Sequence, residues 1–367
     1  MNTKKMRYVW FLVILCIFCL TLFLARTRSK VEMRNRIYHQ WNEHFVVSKG
    51  KESYVRTTND SNQTVVLSEA QSYGMLITVA AAKKGQAQQA DFDRLYHYYL
   101  NHRLEGTQLM SWKQTIRNGK AKDEDHNATD GDLYIAYALL KAAQQWPKQA
   151  KDYQAQAKAI LEDILAHNYN EETGVLTVGN WANQDSEFYH LMRTSDTLPA
   201  QFQIFYEVTK DSKWLDIKEK MLQQLQTISS QTKTGLLPDF IWVDEQGTRV
   251  ADPKTIESKY DGAYSYNACR LPYNLVQSKD ATSQKLVKKM LNFFKSQRNL
   301  YAGYDLKGKA LNNHQAASFL APIVYASEHE KGYLKLVQQN KYIFTQDLPL
   351  NNYYDATMTT MIALELF

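Results

Sequence analysis

The strongest constraint on the fold is a helical periodicity that repeats along nearly the whole chain. Apolar residues recur at three- and four-residue spacing in about twelve segments. These segments are 34–46, 68–82, 91–104, 130–146, 153–169, 195–209, 213–229, 263–277, 281–297, 315–328, 331–344 and 354–367. Segments rich in small and apolar residues alternate with amphipathic segments rich in Lys, Gln and Glu, as expected of covered inner helices and water-facing outer helices. The pattern predicts an all-α fold, an (α/α)6 barrel.

Signals for β-structure are weak. Two stretches, 173–181 and 235–243, are predicted to form short β pieces in connecting loops. No Gly/Ser-rich or Pro-rich linker divides the chain after Arg36. We therefore predict one large domain over residues 31–367.

The first thirty residues differ from the rest. Basic residues precede an apolar run, Val9–Ala25, in which Thr21 is the only clearly polar residue. This length is near the short end of a membrane-spanning helix and within reach of a long signal-peptide core. Ala25 lacks a small partner two residues earlier, which disfavours cleavage. We predict an uncleaved anchor over residues 1–30, and the flanking basic residues at both ends leave its orientation open.

Charge is concentrated beside this segment. The chain carries a net charge of +6, but eight Lys/Arg and one acidic residue lie up to Arg36. The remainder is nearly balanced, so the main domain has no basic surface of the kind that binds nucleic acid. The charge distribution therefore disfavours nucleic acid as a partner, while the apolar segment predicts a membrane as one.

Motifs for metals and cofactors are missing from the sequence. Cys16 and Cys19 lie in the apolar run and Cys269 stands alone, which excludes an internal disulfide and a Cys-based metal site in the main domain. The histidines show no HxxxH or HxH spacing, and there is no Gly-rich phosphate loop or serine elbow. We predict no metal and no cofactor.

The stretch "SEAQSYGM" places a carboxylate at the start of a predicted inner helix. Ser68 and Gln71 fit a capping box, and an acid such as Glu69 in the first turn is favoured by the helix dipole. Helix capping alone does not explain the polar and aromatic residues that follow, including Tyr73. Glu69 is therefore both a capping candidate and a catalytic candidate.

A second pair of carboxylates opens the helix predicted at 130–146. Asp130 and Asp132 are more than one cap requires, although a cap plus a solvated acid remains an alternative. Trp112 lies in the preceding loop, where an indole serves either as a platform for a sugar ring or as a core plug.

Five motifs, taken in their order and spacing, carry a family resemblance. They are "SEAQSYGM", "MSWK", "ATDGDLYIAYALLKAAQQW", "LLPDF" and "YSYNACRLPYN". Over roughly residues 38–367 the chain resembles glycoside hydrolase family 8, whose members include endoglucanases, chitosanases and xylanases. The family fold is an (α/α)6 barrel, which agrees with the helical periodicity.

The resemblance implies roles for two carboxylates. It makes Glu69 the general acid and Asp130 the residue that holds the distorted sugar at the point of cleavage. The family inverts configuration, so a second carboxylate must activate water from the opposite face, with the two carboxyls ~6.5–9.5 Å apart. A general acid needs a raised pKa, so burial or Asp130 must outweigh the helix dipole at Glu69.

The sequence departs from the family where many members have an aspartate as the base. This position is Asn267, and an amide cannot take a proton from water at neutral pH. A chitosanase- and lichenase-like branch instead uses a glutamate from the preceding loop. Here that loop offers Glu257, Asp252 and Asp261. Asp239 of "LLPDF" is a candidate for the base equal to Glu257, with the alternative that it is a pocket residue.

Further residues are predicted to bind substrate. Asn267 is expected to orient the attacking water through its carbonyl oxygen while Arg270 fixes a carboxylate or sugar. Four tyrosines are predicted to line the cleft, with ordinary core packing as the alternative for each: Tyr73, Tyr134, Tyr264 and Tyr266.

The sequence as a whole predicts a single-pass membrane protein with an extracytoplasmic, inverting endo-glycosidase domain. The expected substrate is a β-linked polysaccharide, either a cell-surface or biofilm exopolysaccharide or a β-1,4-glucan, trimmed near a polysaccharide synthesis or secretion complex. The rival hypothesis, motivated by Asn267, is a weak or inactive carbohydrate-binding or regulatory protein on the same scaffold. A third class is an α/α-toroid epimerase or lyase. The sequence lacks the pair of histidines that we would expect of such an enzyme.

Overall fold

The computed structural model describes residues 3–60 and 62–367, and it is mainly helical. The described residues form twelve α-helices: α1 Thr3–Phe45, α2 Ser68–Ala82, α3 Gln89–Asn101, α4 Thr129–Gln145, α5 Ala150–His167, α6 Pro199–Thr209, α7 Lys213–Ser230, α8 Leu271–Val276, α9 Ala281–Ser296, α10 Ala317–His329, α11 Leu334–Asn340 and α12 Tyr353–Leu366. Four short 3₁₀ helices, 147–149, 194–196, 268–270 and 341–344, adjoin them.

The helices form two concentric rings. The even-numbered helices make the inner ring, and α12 packs against both α10 and α2 to close it. Each inner helix from α2 to α10 is followed by an outer helix that packs against it, and the last part of α1 covers α12. The inner helices α2, α4, α10 and α12 are buried on most sides. Their small residues let neighbouring helices pack closely against them. The (α/α)6 barrel prediction is confirmed.

Eight short strands occupy the connections in the described residues. They are β1 Val46–Lys49, β2 Glu52–Val55, β3 Thr64–Leu67, β4 Lys113–Arg117, β5 Lys120–Asp123, β6 Leu191–Arg193, β7 Phe240–Asp244 and β8 Gly247–Val250. They pair antiparallel as β1-β2, β3-β4-β5 and β6-β7-β8. The stretch 235–243 contributes to β7 as predicted. The prediction for 173–181 is wrong, because this stretch makes only an isolated bridge between Tyr169 and Leu176.

The two ends of the barrel differ in their connections. The α2–α3, α4–α5, α6–α7, α8–α9 and α10–α11 connections have three to six residues each, and we call this side the short-loop end. The connections at the other end are longer and carry all eight strands. The inner helices begin at this second end, so their N-terminal first turns face the long loops. We call it the cleft end.

Helix α1 joins the apolar segment to the barrel without a break. Its apolar side chains are exposed as far as Val31, and continuous burial begins near Arg34. Ile37, Trp41 and Phe45 are fully or almost fully buried. Among the described residues α1 is the one helix long and apolar enough to cross a membrane, with a mean hydropathy of 2.7 in its best window. The predicted boundary at residues 30/31 falls inside this helix.

The capping box predicted at the start of α2 is wrong. Leu67 occupies the cap position, and no side chain caps the helix. The amide of Gln71 is buried instead, where it donates to the carbonyl oxygens of Ser53 (3.0 Å) and Leu95 (2.8 Å). Gln71 therefore ties α2 to its neighbours rather than to its own first turn.

A close approach of two helices brings the predicted carboxylates together. A Cβ added at Gly131, in the first turn of α4, would lie only 2.1 Å from Oγ of Ser68 in the first turn of α2. Only glycine allows this spacing, because a Cβ does not approach another heavy atom so closely. The residues beside this contact, Glu69 and Asp130, consequently open towards the same space.

Candidate active site

A cleft of about 370 Å³ lies at the cleft end of the barrel, above the first turns of α2 and α4. It is lined by Leu67, Ser68, Glu69, Trp112, Ala128, Asp130, Arg193, Glu257, Tyr266, Asn267, Tyr353 and Tyr354. Carboxylates, an arginine and several aromatic rings therefore meet in one depression. This composition suits a ligand with many hydroxyl groups and apolar ring faces.

Glu69 is the carboxylate that α2 presents to the cleft. Its side chain is 20% exposed, and its Oε2 accepts a hydrogen bond from Nη1 of Arg270 at 2.8 Å. Burial raises the pKa of Glu69 to about 7, with Arg270 opposing and Asp130 adding to the rise. Glu69 therefore exchanges a proton readily near neutral pH, as a general acid must.

Asp130 is held as a carboxylate by two arginines. Its Oδ1 lies 3.2 Å from Nη1 of Arg193, and its Oδ2 lies 3.1 Å from Nη1 of Arg270. The backbone N–H of Gly131 also donates to it, at 2.9 Å. Burial acts to raise the pKa of Asp130, but Arg193 and Arg270 outweigh burial and hold it below its usual range. A fixed negative charge thus stands close to the proton-exchanging Glu69.

Glu257 enters the cleft from the loop that follows β8. Its side chain is 44% exposed, and Oε1 lies 3.3 Å from Nη2 of Arg193. Asp261 accepts hydrogen bonds from the backbone N–H groups of Ile256, Glu257 and Ser258. These bonds fix the backbone of the loop and leave the Glu257 carboxylate facing solvent.

Asn267 links the two sides of the cleft. Its Nδ2 donates to Oε2 of Glu257 at 2.8 Å, and its Oδ1 accepts from Nη2 of Arg270 at 3.1 Å. Both partners favour this orientation of the amide, since a carboxylate can only accept and an arginine can only donate. The carbonyl oxygen is engaged by Arg270, and the expectation that it also orients the attacking water stays a prediction.

Three of the predicted carboxylates, Asp239, Asp132 and Asp261, lie outside the cleft. Asp239 is 3% exposed and accepts backbone hydrogen bonds from Ser265 (3.1 Å) and Ala268 (2.7 Å), which hold the chain entering α8. Asp132 is fully buried, where it accepts from the backbone N–H of Met110 and from Nδ2 of Asn127, both at 2.8 Å. This burial contradicts direct contact between either side chain and a substrate. Asp261 is likewise fully buried.

Several predicted binding residues lie beneath the cleft rather than in it. Tyr73 accepts a hydrogen bond from Arg270 at 3.0 Å, and the hydroxyl of Tyr134 donates to Oδ1 of Asn274 at 3.0 Å. Both tyrosines are buried, as is Tyr264. Arg270 is itself 1% exposed, so it reaches the cleft only through Glu69, Asp130 and Asn267. The alternative of core packing applies to all three tyrosines.

Aromatic rings form the remaining walls. Trp112 and Tyr266 were predicted, and Tyr353 and Tyr354 at the start of α12 join them. The Trp112 ring stacks on His126 at a centroid distance of 5.8 Å, and His126 contacts the Trp181 ring at 6.2 Å. Aromatic surface thus extends from the cleft along the barrel end, as a groove for a chain of sugar rings requires.

Sequence reasoning missed Arg193, the residue that contacts most carboxylates. It lies at the end of β6 and touches Asp130, Asp196 (3.7 Å) and Glu257. Asp196 is 1% exposed and has no hydrogen-bond partner among the described residues, and burial raises its pKa to about 7. No local pattern identifies an arginine at the end of so short a strand as a residue that holds carboxylates, so only the tertiary structure reveals this role.

Paired carboxylates in a cleft at one end of an (α/α)6 barrel are an arrangement that a glycosidase requires. The described residues contain no group of three or more His, Cys, Asp or Glu that would hold a metal ion. The family model "Glycosyl hydrolases family 8" matches residues 13–365. The chain belongs to glycoside hydrolase family 8, a family of inverting glycosidases.

Relatives of this chain are named for activity on β-glucans. A β-glucanase from Niallia circulans is 30% identical over 298 residues, which is 78% of this chain and 72% of that protein. An endoglucanase from Bacillus sp. KSM-330 is 30% identical over 275 residues, covering 71% of this chain and 58% of that longer protein.

Solved structures share the fold. The apo structure of a β-1,3-1,4-glucanase from Paenibacillus sp. X4 has a TM-score of 0.82 at 24% identity, covering 93% of this chain and 92% of that one. Rex8A from Paenibacillus barcinonensis, complexed with xylose, has a TM-score of 0.72 at 22% identity, covering 91% and 93%.

Proposed function

We propose that this chain hydrolyses internal bonds of a β-linked glucan, with Glu69 as general acid, Glu257 as general base and Asp130 as the anion that holds the reacting sugar. One observation carries the proposal. Glu69 and Glu257 line the same cleft but come from different elements, and Asp130 lies between the arginines that contact them. An inverting glycosidase needs two carboxyls on opposite faces of the sugar.

The arginines suit the charge changes of the reaction. When Glu69 gives its proton to the leaving oxygen, the new carboxylate already has Arg270 at 2.8 Å to stabilise it. The negative charge of Asp130 lies near the site where an oxocarbenium-like transition state develops positive charge. Glu257 takes the proton of the attacking water, and it loses its own negative charge while still in contact with Arg193.

The departure at Asn267 fits the choice of Glu257 as the base. A carboxylate at position 267 would place a like charge about 2.8 Å from Glu257 Oε2, and two carboxylates so close cannot both stay ionised. The amide instead donates a hydrogen bond to Glu257 and places no like charge beside it. Asn267 thus becomes a positioning residue for a base that lies on another loop.

The proposal predicts the direction of the pH dependence. Glu69 must be protonated to act, so kcat/KM should fall as pH rises through its pKa of about 7. Asp130→Asn removes a negative charge that raises the pKa of Glu69. The fall of kcat/KM on the alkaline side of the pH profile should therefore occur at lower pH, and the maximal rate should also drop. Initial rates across the pH range for both proteins measure the shift. A rate that stays flat well above pH 7 contradicts the role of Glu69.

The substrate class is tested with a panel of polysaccharides. Mixed-linkage β-1,3-1,4-glucan, carboxymethyl cellulose, xylan, chitosan and an N-acetylglucosamine polymer are incubated with the full chain in detergent, and new reducing ends are counted. We expect release from the β-glucans, in line with the relatives' names. Glu245→Gln, on the exposed turn between β7 and β8, is the matched control that should keep full activity. Binding without release from any polymer favours the carbohydrate-binding alternative.

We further propose that α1 anchors the enzyme in a membrane with the barrel outside the cell. The apolar side chains described between Trp10 and Leu24 are exposed in the structure, and lipid is the solvent that suits them. A polysaccharide does not cross a membrane, so the cleft must face its substrate on the outer side. An exopolysaccharide emerging from a synthesis or secretion complex would be within reach of an enzyme held there.

A further inference from the structure

The geometry points to the short-loop end of the barrel as a surface that faces the lipid bilayer, so that the cleft opens away from the membrane. This inference rests on the proposed anchoring of α1. It goes further by stating which side of the enzyme meets the lipid headgroups and which side meets the substrate.

Contacts between α1 and α12 fix the direction in which the anchor leaves the barrel. Nη1 of Arg34 donates to the backbone oxygen of Phe367 at 3.0 Å, and Nε1 of Trp41 donates to Oγ1 of Thr357 at 2.9 Å. The Phe45 ring packs on Tyr353, which lines the cleft, at a centroid distance of 6.0 Å. The two helices are therefore antiparallel, and the residues before Arg34 project past the short-loop end.

Helix length sets the distances from the membrane. Nine residues separate Ala25 from Arg34, or ~14 Å at 1.5 Å per residue. Twenty residues, or ~30 Å, separate Ala25 from Phe45 at the cleft end. The short-loop end thus lies within reach of the headgroup layer plus a Debye length of ~8 Å. The cleft lies roughly 16 Å farther out.

The charge pattern of the short-loop end suits an anionic headgroup layer. Every one of its five connections carries at least one exposed lysine: Lys83, Lys84, Lys148, Lys210, Lys279 and Lys331. The acidic residues of these connections number three, and each has a local partner. Asp211 and Asp280 accept backbone N–H bonds at the starts of α7 and α9, and Glu330 lies 3.4 Å from Lys288.

These six lysines, which we call the lysine ring, surround the end from which α1 leaves. The long connections at the cleft end carry nearly equal numbers of basic and acidic residues, so the positive excess is specific to one end. Lysines close to an anionic bilayer are attracted to it, and the attraction falls off within a Debye length. A rigid helix with basic residues directly below the ring would hold the barrel upright on such a surface.

Energy transfer to lipid headgroups tests the orientation. The full chain, with Cys16 and Cys19 changed to alanine, is inserted into vesicles of phosphatidylcholine and phosphatidylglycerol that contain a headgroup acceptor dye. A donor dye is attached either at Lys84→Cys or at Gln184→Cys, which is exposed at the cleft end. We expect the donor at position 84 to lie closer to the headgroups than the donor at 184, by a distance on the order of the ~16 Å that separates Arg34 from Phe45 along α1. Equal distances, or the reverse order, overturn the inference.

A charge variant tests the lysine ring itself. Lys148, Lys210, Lys279 and Lys331 are changed to Gln, and the matched control changes four exposed cleft-end lysines, Lys51, Lys120, Lys122 and Lys307. On anionic vesicles the first variant should show lower energy transfer at position 84, because the barrel tilts more freely on α1, and the control should not. Equal effects of the two variants contradict a role for the ring.

The two proposals fail in different ways. A chain that does not float with vesicles at all contradicts both anchoring and orientation. A chain that floats, with both donors equally far from the lipid, contradicts the orientation alone. Neither result changes hydrolysis by the cleft, which is measured separately on soluble polysaccharide.

Discussion

Replacing Glu69 by Gln is expected to lower kcat by about 10²–10⁴-fold, the range that a positioned general acid contributes. Gln keeps the shape of the side chain and its oxygen still accepts from Arg270, but it has no proton to give. The substrate should still bind, because the cleft walls are unchanged. Initial rates on the β-glucan identified in the polymer panel measure the loss, and thermal unfolding checks that the fold persists.

A substrate with a better leaving group tests the role of Glu69 as an acid more specifically. The phenolate of an activated aryl glycoside leaves without protonation. Relative to wild type, Glu69→Gln should therefore lose much less activity on this substrate than on the polymer. A general acid is needed only when the leaving oxygen must be protonated. Equal losses on both substrates would assign Glu69 a binding role instead.

Replacing Glu257 by Gln is the second change with a large expected effect, again about 10²–10⁴-fold in kcat. The carboxylate is 44% exposed and makes its contacts at the loop surface, so removing its charge should leave the free energy of unfolding nearly unchanged. Without a base the attacking water keeps its proton, and the activated aryl glycoside should not restore the rate. This behaviour separates Glu257 from Glu69.

Asp239→Asn is the matched control for Glu257. The amide oxygen can still accept from the backbone N–H groups of Ser265 and Ala268, so most of the activity should remain. Asp239→Ala leaves these buried donors unpaired and should cost about 1–3 kcal/mol of stability. Loss of hydrolysis in Asp239→Asn, with Glu257→Gln active, would reverse the assignment.

The fold could be predicted because its signal is local. Each ring helix carries its own apolar periodicity, and the alternation of covered and water-facing helices follows from composition alone. The strands could not be predicted in the same way. β6, for example, has only three residues and exists because it pairs with β7 some fifty positions later in the chain. α8 is shorter than its predicted segment, since Asp239 holds the entering residues 265–268 in a turn.

The site was only partly predictable for the same reason. Glu69 and Asp130 lie in motifs at the starts of helices, so their place in the chain also fixes their place in the fold. Glu257 lies in an irregular loop whose shape depends on Asp261, and nothing local distinguishes it from Asp239. Arg193 depends entirely on the approach of three segments, so the sequence offered no signal for it.

Rescue of the base variant by a small anion tests the central claim most directly. Glu257→Ala opens space beside Arg193 and Asn267, on the face from which water attacks in the proposed mechanism. Azide added to this variant needs no base, so it should restore cleavage of the β-glucan and yield a glycosyl azide of α configuration, identified by NMR. No rescue of Glu257→Ala, together with rescue of Asp239→Ala or Asp261→Ala, would contradict the account, as would a glycosyl azide of β configuration.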